Sequence, residues 1–511
     1  METVLAGTAF ISKEIRSTRE TVHLAPPQSP PGSGTSHTWS TALLGLLWYK
    51  IGHQRRCQNV GAPGGLMLVS SEPRSDSATT ASPAQTDRDD VVAQRVGGFL
   101  ACLLAVTLPI QLPGFRSVSI GFAFAVLLSP TIVPVVARMV YGRALTRTTL
   151  LVVIAAPFVT AATLSMDHFR SFSNTQAILS AALFLGLVFQ VCGVAWASSI
   201  IGIRRVALLY SAGAIFNAAI QPALWSTNPW KYAFGWCVPV LVIATFCRWP
   251  RSLQPLGIVV AALYALTHES RNSAAALILT LLATAATYIF VSRKIERRRG
   301  LLILGMLLAA TLAIVSLVTQ LAASGALGEQ LQRVQISQSS SNTAIAGRDE
   351  YLATFALMAQ SPIGLGPGVI PSYNDIIVGK VGLSVTGEDT SGSYVDGYMF
   401  NDGFNVHSVA GDLWVEFGIA GLLFAALMMV ALIRASLLNH ESPPSGLTAL
   451  CAFLFFQGVW DLLFSPLNGN FRSVGFAAGA AIFLMSQARD RRRDNGPTTA
   501  LSQTPELMTG T

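Results

Sequence analysis

Between residues 93 and 487 the chain alternates long apolar runs with short polar connections. Twelve runs stand out: 97–113, 117–137, 148–165, 176–200, 206–225, 232–247, 253–267, 272–292, 301–320, 410–433, 445–465 and 471–487. About 20 apolar residues carry a helix across a bilayer. A helix is the form expected there, because it satisfies its own backbone donors and acceptors where no water can. The pattern predicts an all-α integral membrane protein of about 12 transmembrane helices, with one long loop, 321–406, between the ninth and tenth. No internal repeat interrupts the series.

Composition sharpens this. Only 12% of the 511 residues are Asp, Glu, Lys or Arg, about half the roughly 25% of soluble proteins. Mean hydropathy is +0.51, and a water-soluble enzyme is excluded. The net charge of +8 would point to nucleic acid if the basic residues were pooled, but they alternate between loops. Loops after even-numbered runs, with the stretch after the last, carry 17 basic residues, among them Arg138, Arg204, Arg248, Arg298, Arg434 and Arg491. The short loops on the other side hold Arg116, Arg170, Lys231, Arg271 and Arg472. Basic residues mark the cytoplasmic side. A multi-pass protein of the cell membrane is expected, with both termini cytoplasmic, no nucleic-acid partner, and the 321–406 loop outside. That loop has eight acidic residues against Arg333, Arg348 and Lys380.

Three domains follow. Residues 1–92, rich in Ser, Thr, Pro, Gly and Gln, read as a disordered cytoplasmic tail, with Met67 as an alternative start. Residues 93–487 are the membrane domain, and 488–511 a basic, then polar, disordered tail. Within the long loop, 321–370 has an amphipathic helical pattern. Residues 380–405, rich in Gly, Ser and Asp, read as mobile, poorly packed coil.

The candidate chemistry gathers where this loop meets the bilayer. His407 opens the segment His407-Ser408-Val409-Ala410-Gly411-Asp412, at the mouth of the tenth run. A neutral imidazole there can take a proton near pH 7; an interfacial histidine that only packs is the alternative. Arg348 precedes an amphipathic stretch reaching Gln360, with Leu352, Phe355 and Ala359 as its apolar stripe. Its guanidinium can fork onto two phosphate oxygens or pair with a loop acid. Ser270 and Arg271, after His268, sit at the outer end of the seventh run, where arginine is unexpected as a topology signal. Gly364 and Gly366, in Pro362-Ile363-Gly364-Leu365-Gly366-Pro367-Gly368, form either a tight turn or a pyrophosphate seat. Asp461 either lines a cavity or sits at the interface. The other five histidines are isolated, the six cysteines scattered, and no metal is expected.

Taken together these pieces resemble the bacterial O-antigen ligase family. His407-Ser408, a nine-residue gap and Gly418-x-x-Gly421 look like its histidine motif, and Arg348 to Leu352 its Arg-x-x-x-Leu motif. Thr267 to Arg271 and the Pro362 turn are also similar to it. Leu422, where the ligase motif has Thr or Met, leaves the related oligosaccharide polymerases equally open. The resemblance implies a metal-independent glycosyltransferase without cofactor, using a polyprenyl-pyrophosphate-linked glycan as donor and a glycan or lipid-linked sugar as acceptor. It implies His407 as base and Arg348 and Arg271 as cations on the leaving pyrophosphate, with Ser270, Gly364, Gly366 and Asp461 lining the substrate site. A transporter or flippase is the rival reading, since twelve spans is also a common transporter layout. The missing repeat counts against it.

Overall fold

The computed structural model describes residues 83–112, 115–221, 229–250, 253–268, 270–291, 297–326, 328–329, 332–333, 350–385, 390, 394–441 and 447–494. All belong to one compact unit, Glu72–Thr511. The helices that run before the long loop are α1 (Pro83–Thr107), α2 (Ile120–Leu127), α3 (Ser129–Ala137), α4 (Gly142–Met166), α5 (Asn174–Ile201), α6 (Ile203–Ala219), α7 (Gly235–Phe246), α8 (Gln254–Thr267), α9 (Arg271–Val291) and α10 (Arg297–Ala323). The loop carries α11 (Glu350–Gln360) and α12 (Tyr373–Ser384), and after it come α13 (Val409–Glu441), α14 (Thr448–Phe464) and α15 (Leu467–Asp494). Strand is confined to two short antiparallel pairs, β1 (Gln111–Leu112) with β2 (Phe115–Ser119) and β3 (Ser171–Phe172) with β4 (Val369–Ile370).

The molecule is an all-α membrane protein. Among the described residues four helical segments are long and apolar enough to cross a bilayer: Gly142–Met166, Asn174–Ile201, Asn272–Ile289 and Val409–Leu438. The expected straight run 117–137 is instead α2 and α3, bent by 78°. The reason is local: Pro130 has no N–H to give Val126 O and its ring would clash with that carbonyl, so α2 cannot run on, and a new helix starts with the proline in its first turn. Val91–Thr107, Gly235–Phe246, Gln254–Leu266 and Thr448–Phe464 are shorter apolar helices.

Position in the bundle follows from burial. In α5 61% of the spanning window is buried, whereas in α4 it is 17%. The centre is therefore α5, gripped by α15 and α1, and α4 is peripheral, touching α13 along one side. Its other side, with Leu150, Ile154 and Phe158 exposed, is stable only against lipid.

Three expectations need correction. First, α1 starts at Pro83, inside the stretch read as tail. Proline at a first helical position loses no hydrogen bond. Likewise α15 continues to Asp494, its last turn holding Arg491, Arg492 and Arg493, which suit a helix C-terminus. Second, the buried face of α11 is Ala353, Thr354 and Leu357. Phe355, from the predicted stripe, is 60% exposed. Third, the described part of 380–405 is packed. Val395, Met399, Phe400, Phe404 and Val406 join Leu357, Leu383 and Trp414 in a second apolar core. The Gly/Ser/Asp-rich composition hides these few large side chains, and their burial decides the segment's state.

This second core is stitched to the end of α4. Strand β3 pairs with β4, and Ser173 N–H donates to Gly368 O. Arg170 grips Asp375 with two bonds, Nη2 to Oδ1 at 2.6 Å and Nε to Oδ2 at 3.0 Å. The hydrogen bond to Asp375 outweighs burial and raises the guanidinium above its ordinary value. Burial pushes the Asp375 carboxyl the other way, but the bonds from Arg170 and Ser372 win and hold it below the usual carboxylate value.

Candidate functional site

The site is built around the start of α13. Ser408 caps that helix: its Oγ accepts from Gly411 N–H at 3.1 Å. Asp412, in the first turn, uses its two oxygens on two different segments. Oδ1 takes Val406 N–H at 3.0 Å, and Oδ2 takes Leu467 N–H, the first residue of α15, at 2.8 Å. Between Val406 and Ser408, held at both ends, His407 adopts φ +59°. A side chain rarely tolerates that left-handed conformation, so surrounding structure must impose it. Here Asp412 and Ser408 impose it, and they turn the half-buried imidazole out of the helix line towards the second core.

Two tyrosines meet the ring, and a glutamate stands behind one of them. Tyr394 Oη lies 3.1 Å from His407 Nδ1, and Tyr394 donates its hydroxyl hydrogen to Glu350 Oε1 at 3.0 Å. With its hydrogen committed to Glu350, the tyrosine oxygen accepts from Nδ1–H, which leaves the imidazole lone pair on Nε2. Tyr394 and Tyr398 stack on each other at 5.4 Å and set their ring edges against the imidazole at 6.1 and 5.7 Å. Both tyrosines come from the stretch read as coil, in and just before a π-helical turn, Val395–Met399. That turn is anchored to α12 by Lys380 and Asp396, 2.7 Å apart. Glu350, the first residue of α11, is fixed from the other side, because Tyr351 donates its hydroxyl to Leu463 O at the end of α14.

The other expected site residues fall elsewhere. Arg348 lies outside the described residues. Arg271 opens α9, and its side chain also lies outside them. Ser270, expected to touch substrate, is buried: its hydroxyl donates to Ser273 Oγ at 2.9 Å. Both hydroxyls press on Gly235, where a side chain would find no room. His268 stacks on Tyr264 at 4.0 Å.

The glycine turn is a packing element. Gly364 has φ +95° and Gly366 φ +99°, and a Cβ on either would overlap backbone of α13 or α4. Gly364 N–H donates to Ser361 O, and the amides of Leu365 and Gly366 both donate to Val415 O. These amides are not available to a phosphate, so neither glycine is a pyrophosphate seat. Opposite them α13 breaks its helical geometry at Gly418 (φ +63°). This makes room for Ile363 O.

Asp461 is a buried brace. Gln457 Nε2 (2.9 Å) and Ser465 Oγ (3.0 Å) donate to Oδ1, and Ser473 Oγ (2.6 Å) donates to Oδ2. At 2% exposure it lines no cavity. Its angular position on α14, pointing at α15, could not be read from a run of apolar residues.

Arg472 stands next to that brace. Counted in the sequence as a topology charge, it is half-buried in α15, donating from Nη1 to Pro109 O at 3.2 Å. Its Nε is buried without a hydrogen-bond partner. No carboxylate among the described residues pairs with it. The sequence signal was weak, an arginine on the side where basic residues are few. Nothing in the sequence marked Tyr394 as the partner of His407.

Among the described residues no group of three or more His, Cys, Asp or Glu side chains could hold a metal ion. No family model matches this chain, and no curated protein matches it.

Proposed function

We propose that this chain is a multi-pass membrane glycosyltransferase of the O-antigen ligase or polymerase type. It moves a glycan from a polyprenyl-pyrophosphate donor to an acceptor sugar hydroxyl on the extracytoplasmic face. In this reading the twelve apolar runs cross the cell membrane, both termini are cytoplasmic, and the second core lies outside. The observation that carries the proposal is the His407–Tyr394–Glu350 chain at the mouth of α13. It gives the imidazole a fixed tautomer and a carboxylate behind it, which is what a general base needs.

The acceptor hydroxyl gives its proton to His407 Nε2. Its oxygen bonds the donor's anomeric carbon on the face opposite the leaving group, with inversion. The carbon–oxygen bond to pyrophosphate breaks, and the electron pair leaves on the polyprenyl pyrophosphate. Tyr394 and Glu350 stabilise the imidazolium that forms. Arg348 and Arg271 are the cations assigned to the pyrophosphate, whose charge grows as the bond breaks.

The test is removal of this protein from the native host: the reading predicts that the lipid-linked donor accumulates on the extracytoplasmic leaflet, where added glycosidase should digest it. Wild-type protein should then restore surface polysaccharide, and membranes prepared with chelator throughout should still consume donor. Donor trapped on the cytoplasmic leaflet would instead favour transport. Glu416 is the feature that favours that second reading. Its Oε1 accepts from Ser180 Oγ at 2.9 Å, while its Oε2 is buried without a partner, an arrangement more typical of ion-coupled carriers.

A further inference from the structure

Arg170 and Arg472 stand among the few basic residues on the sparsely charged side of the chain, and the structure treats them differently. Arg170 commits one edge of its guanidinium to Asp375: Nε and Nη2, the two nitrogens of that edge, reach the two carboxylate oxygens at 3.0 and 2.6 Å. Arg472 has the same edge free. Its Nε is buried without a hydrogen-bond partner, and Nη2, also without one among the described residues, is not sealed from the surface as Nε is. No described carboxylate pairs with it. The two buried aspartates tied to α15 are already engaged, Asp461 by Gln457, Ser465 and Ser473, and Asp412 by the amides of Val406 and Leu467.

The arginine is held in place by a closed set of bonds. The buried Tyr210 hydroxyl lies 2.7 Å from Gln190 Oε1 and 3.0 Å from Arg472 O. Gln190 Nε2 donates to Leu108 O at 2.6 Å, and Arg472 Nη1 returns to the next carbonyl, Pro109 O, at 3.2 Å. The set ties α5, α6 and α15 to the chain just past α1. A Cβ on Gly475 would strike Gln190, so α15 lies close against α5 here. Two plainer roles account for part of this. An arginine at the border of an apolar run can stretch its head into water, but this head turns inward. A cation also suits the end of α1, where carbonyls lack helical partners, but that uses Nη1 alone. Guanidinium does not lose its charge by deprotonation, and a charge out of water needs a counter-charge.

We propose that the Nε–Nη2 edge of Arg472 is a binding site for the oxyanion of a ligand. The group it takes offers two oxygens side by side, the chemistry shared by a phosphate and a carboxylate. The pair formed by Arg170 and Asp375 shows the same edge doing this within the protein. Nη1, on Pro109 O, fixes the guanidinium plane, so the fork is oriented before the ligand arrives. The inference uses none of the residues around His407 and does not depend on the transferase reading.

The probes are inorganic phosphate and acetate, added to the full chain in a maltoside detergent with chloride as the other small anion and ionic strength held constant. Thermal unfolding reads binding, since an anion that binds only the folded state raises the midpoint with its concentration. The expected result is a saturable rise, beyond that in chloride, with at least one probe. The probe with the lower apparent Kd names the ligand as a phosphoryl or a carboxylate group. Arg472→Lys keeps the charge and can still donate to Pro109 O, but an ammonium has no planar edge, so its apparent Kd should rise about tenfold or more. Arg472→Gln takes its place if the lysine variant does not fold. No rise beyond chloride in the wild type, or an unchanged Kd in a folded variant, would overturn the proposal. Failure of both variants to fold would make the arginine a structural brace and overturn it as well.

Discussion

Two corners of the same end of the bundle treat polar groups in opposite ways. Around Asp461 every carboxylate lone-pair direction in use meets a donor from Gln457, Ser465 or Ser473, all buried. Around His407 the polar groups form a line, Glu350 to Tyr394 to His407, and its members remain half-exposed. The first corner is closed and stabilises the helix pair. The second is held open by a backbone strain that Asp412 and Ser408 impose. A saturated buried network rigidifies; an aligned and accessible one can exchange a proton with a ligand. The difference separates bracing acids from acting ones, although both stand at helix ends in the sequence.

Substitutions should divide along that line. The largest effect is expected where the bracing is backbone: Gly418→Ala places a Cβ on Ile363 O at a left-handed φ. It should cost about 3 kcal/mol from strain alone, seen as a loss of folded membrane protein on thermal unfolding. Next, Asp461→Ala strands three buried donors and should cost about 2–3 kcal/mol. Activity per folded molecule should stay within about twofold, because a brace touches no substrate. A selective loss of turnover in that variant, with normal stability, would erase the distinction between the corners.

Tyr394→Phe should behave the other way round. Stability changes by less than about 0.5 kcal/mol, as for most half-exposed positions. Turnover falls about tenfold, and the acid limb of its pH profile shifts as the imidazole loses its oriented partner. A Tyr394→Phe enzyme with an unchanged pH profile would reduce the tyrosine to packing.

The smallest effect is at the stitch between Arg170 and Asp375. The folded carboxyl sits below its unfolded value, so its contribution to stability is complete above about pH 4. It is lost as pH falls through the lower, folded value. The protection factor against hydrogen exchange of Ser173 N–H, bonded to Gly368 O, should fall below about pH 4 in the wild type. In Asp375→Asn it should be low and nearly independent of pH in that range. Protection that persists in the variant would mean β3 and β4 need no ion pair.

Much of the architecture was legible in the sequence, because period and length are properties of the chain itself. Among the described residues the apolar runs fall mostly on helices, four of them long and apolar enough to span, and Asn174–Ile201 and Val409–Leu438 are close to the runs 176–200 and 410–433. His407 was found because it stands where a long polar segment gives way to an apolar one. What the sequence hid is angular or compositional. Asp461 faces α15, yet nothing in its own helix says which neighbour each side meets. The buried stripe of α11 lies on nearly the opposite face from the predicted one, since Ala353 and Thr354 are small enough to be overlooked beside Phe355. Tyr394 was missed because Gly, Ser and Asp dominate its surroundings. The contacts that fix it come from Phe400, Phe404 and Val406 further along. Gly364 and Gly366 were read as a possible ligand cradle, but their neighbours across the fold supply the acceptor that takes up the turn's amides.

The central claim is that His407 is the base of an otherwise intact site, and one comparison tests it. Wild type and His407→Ala, purified into the same lipid and matched for folded protein, are given the native lipid-linked donor and acceptor with chelator present. The account predicts a loss of about 10²–10⁴-fold in transfer, the usual contribution of a positioned general base, with donor binding unchanged. A variant that keeps more than about a tenth of wild-type turnover would contradict it.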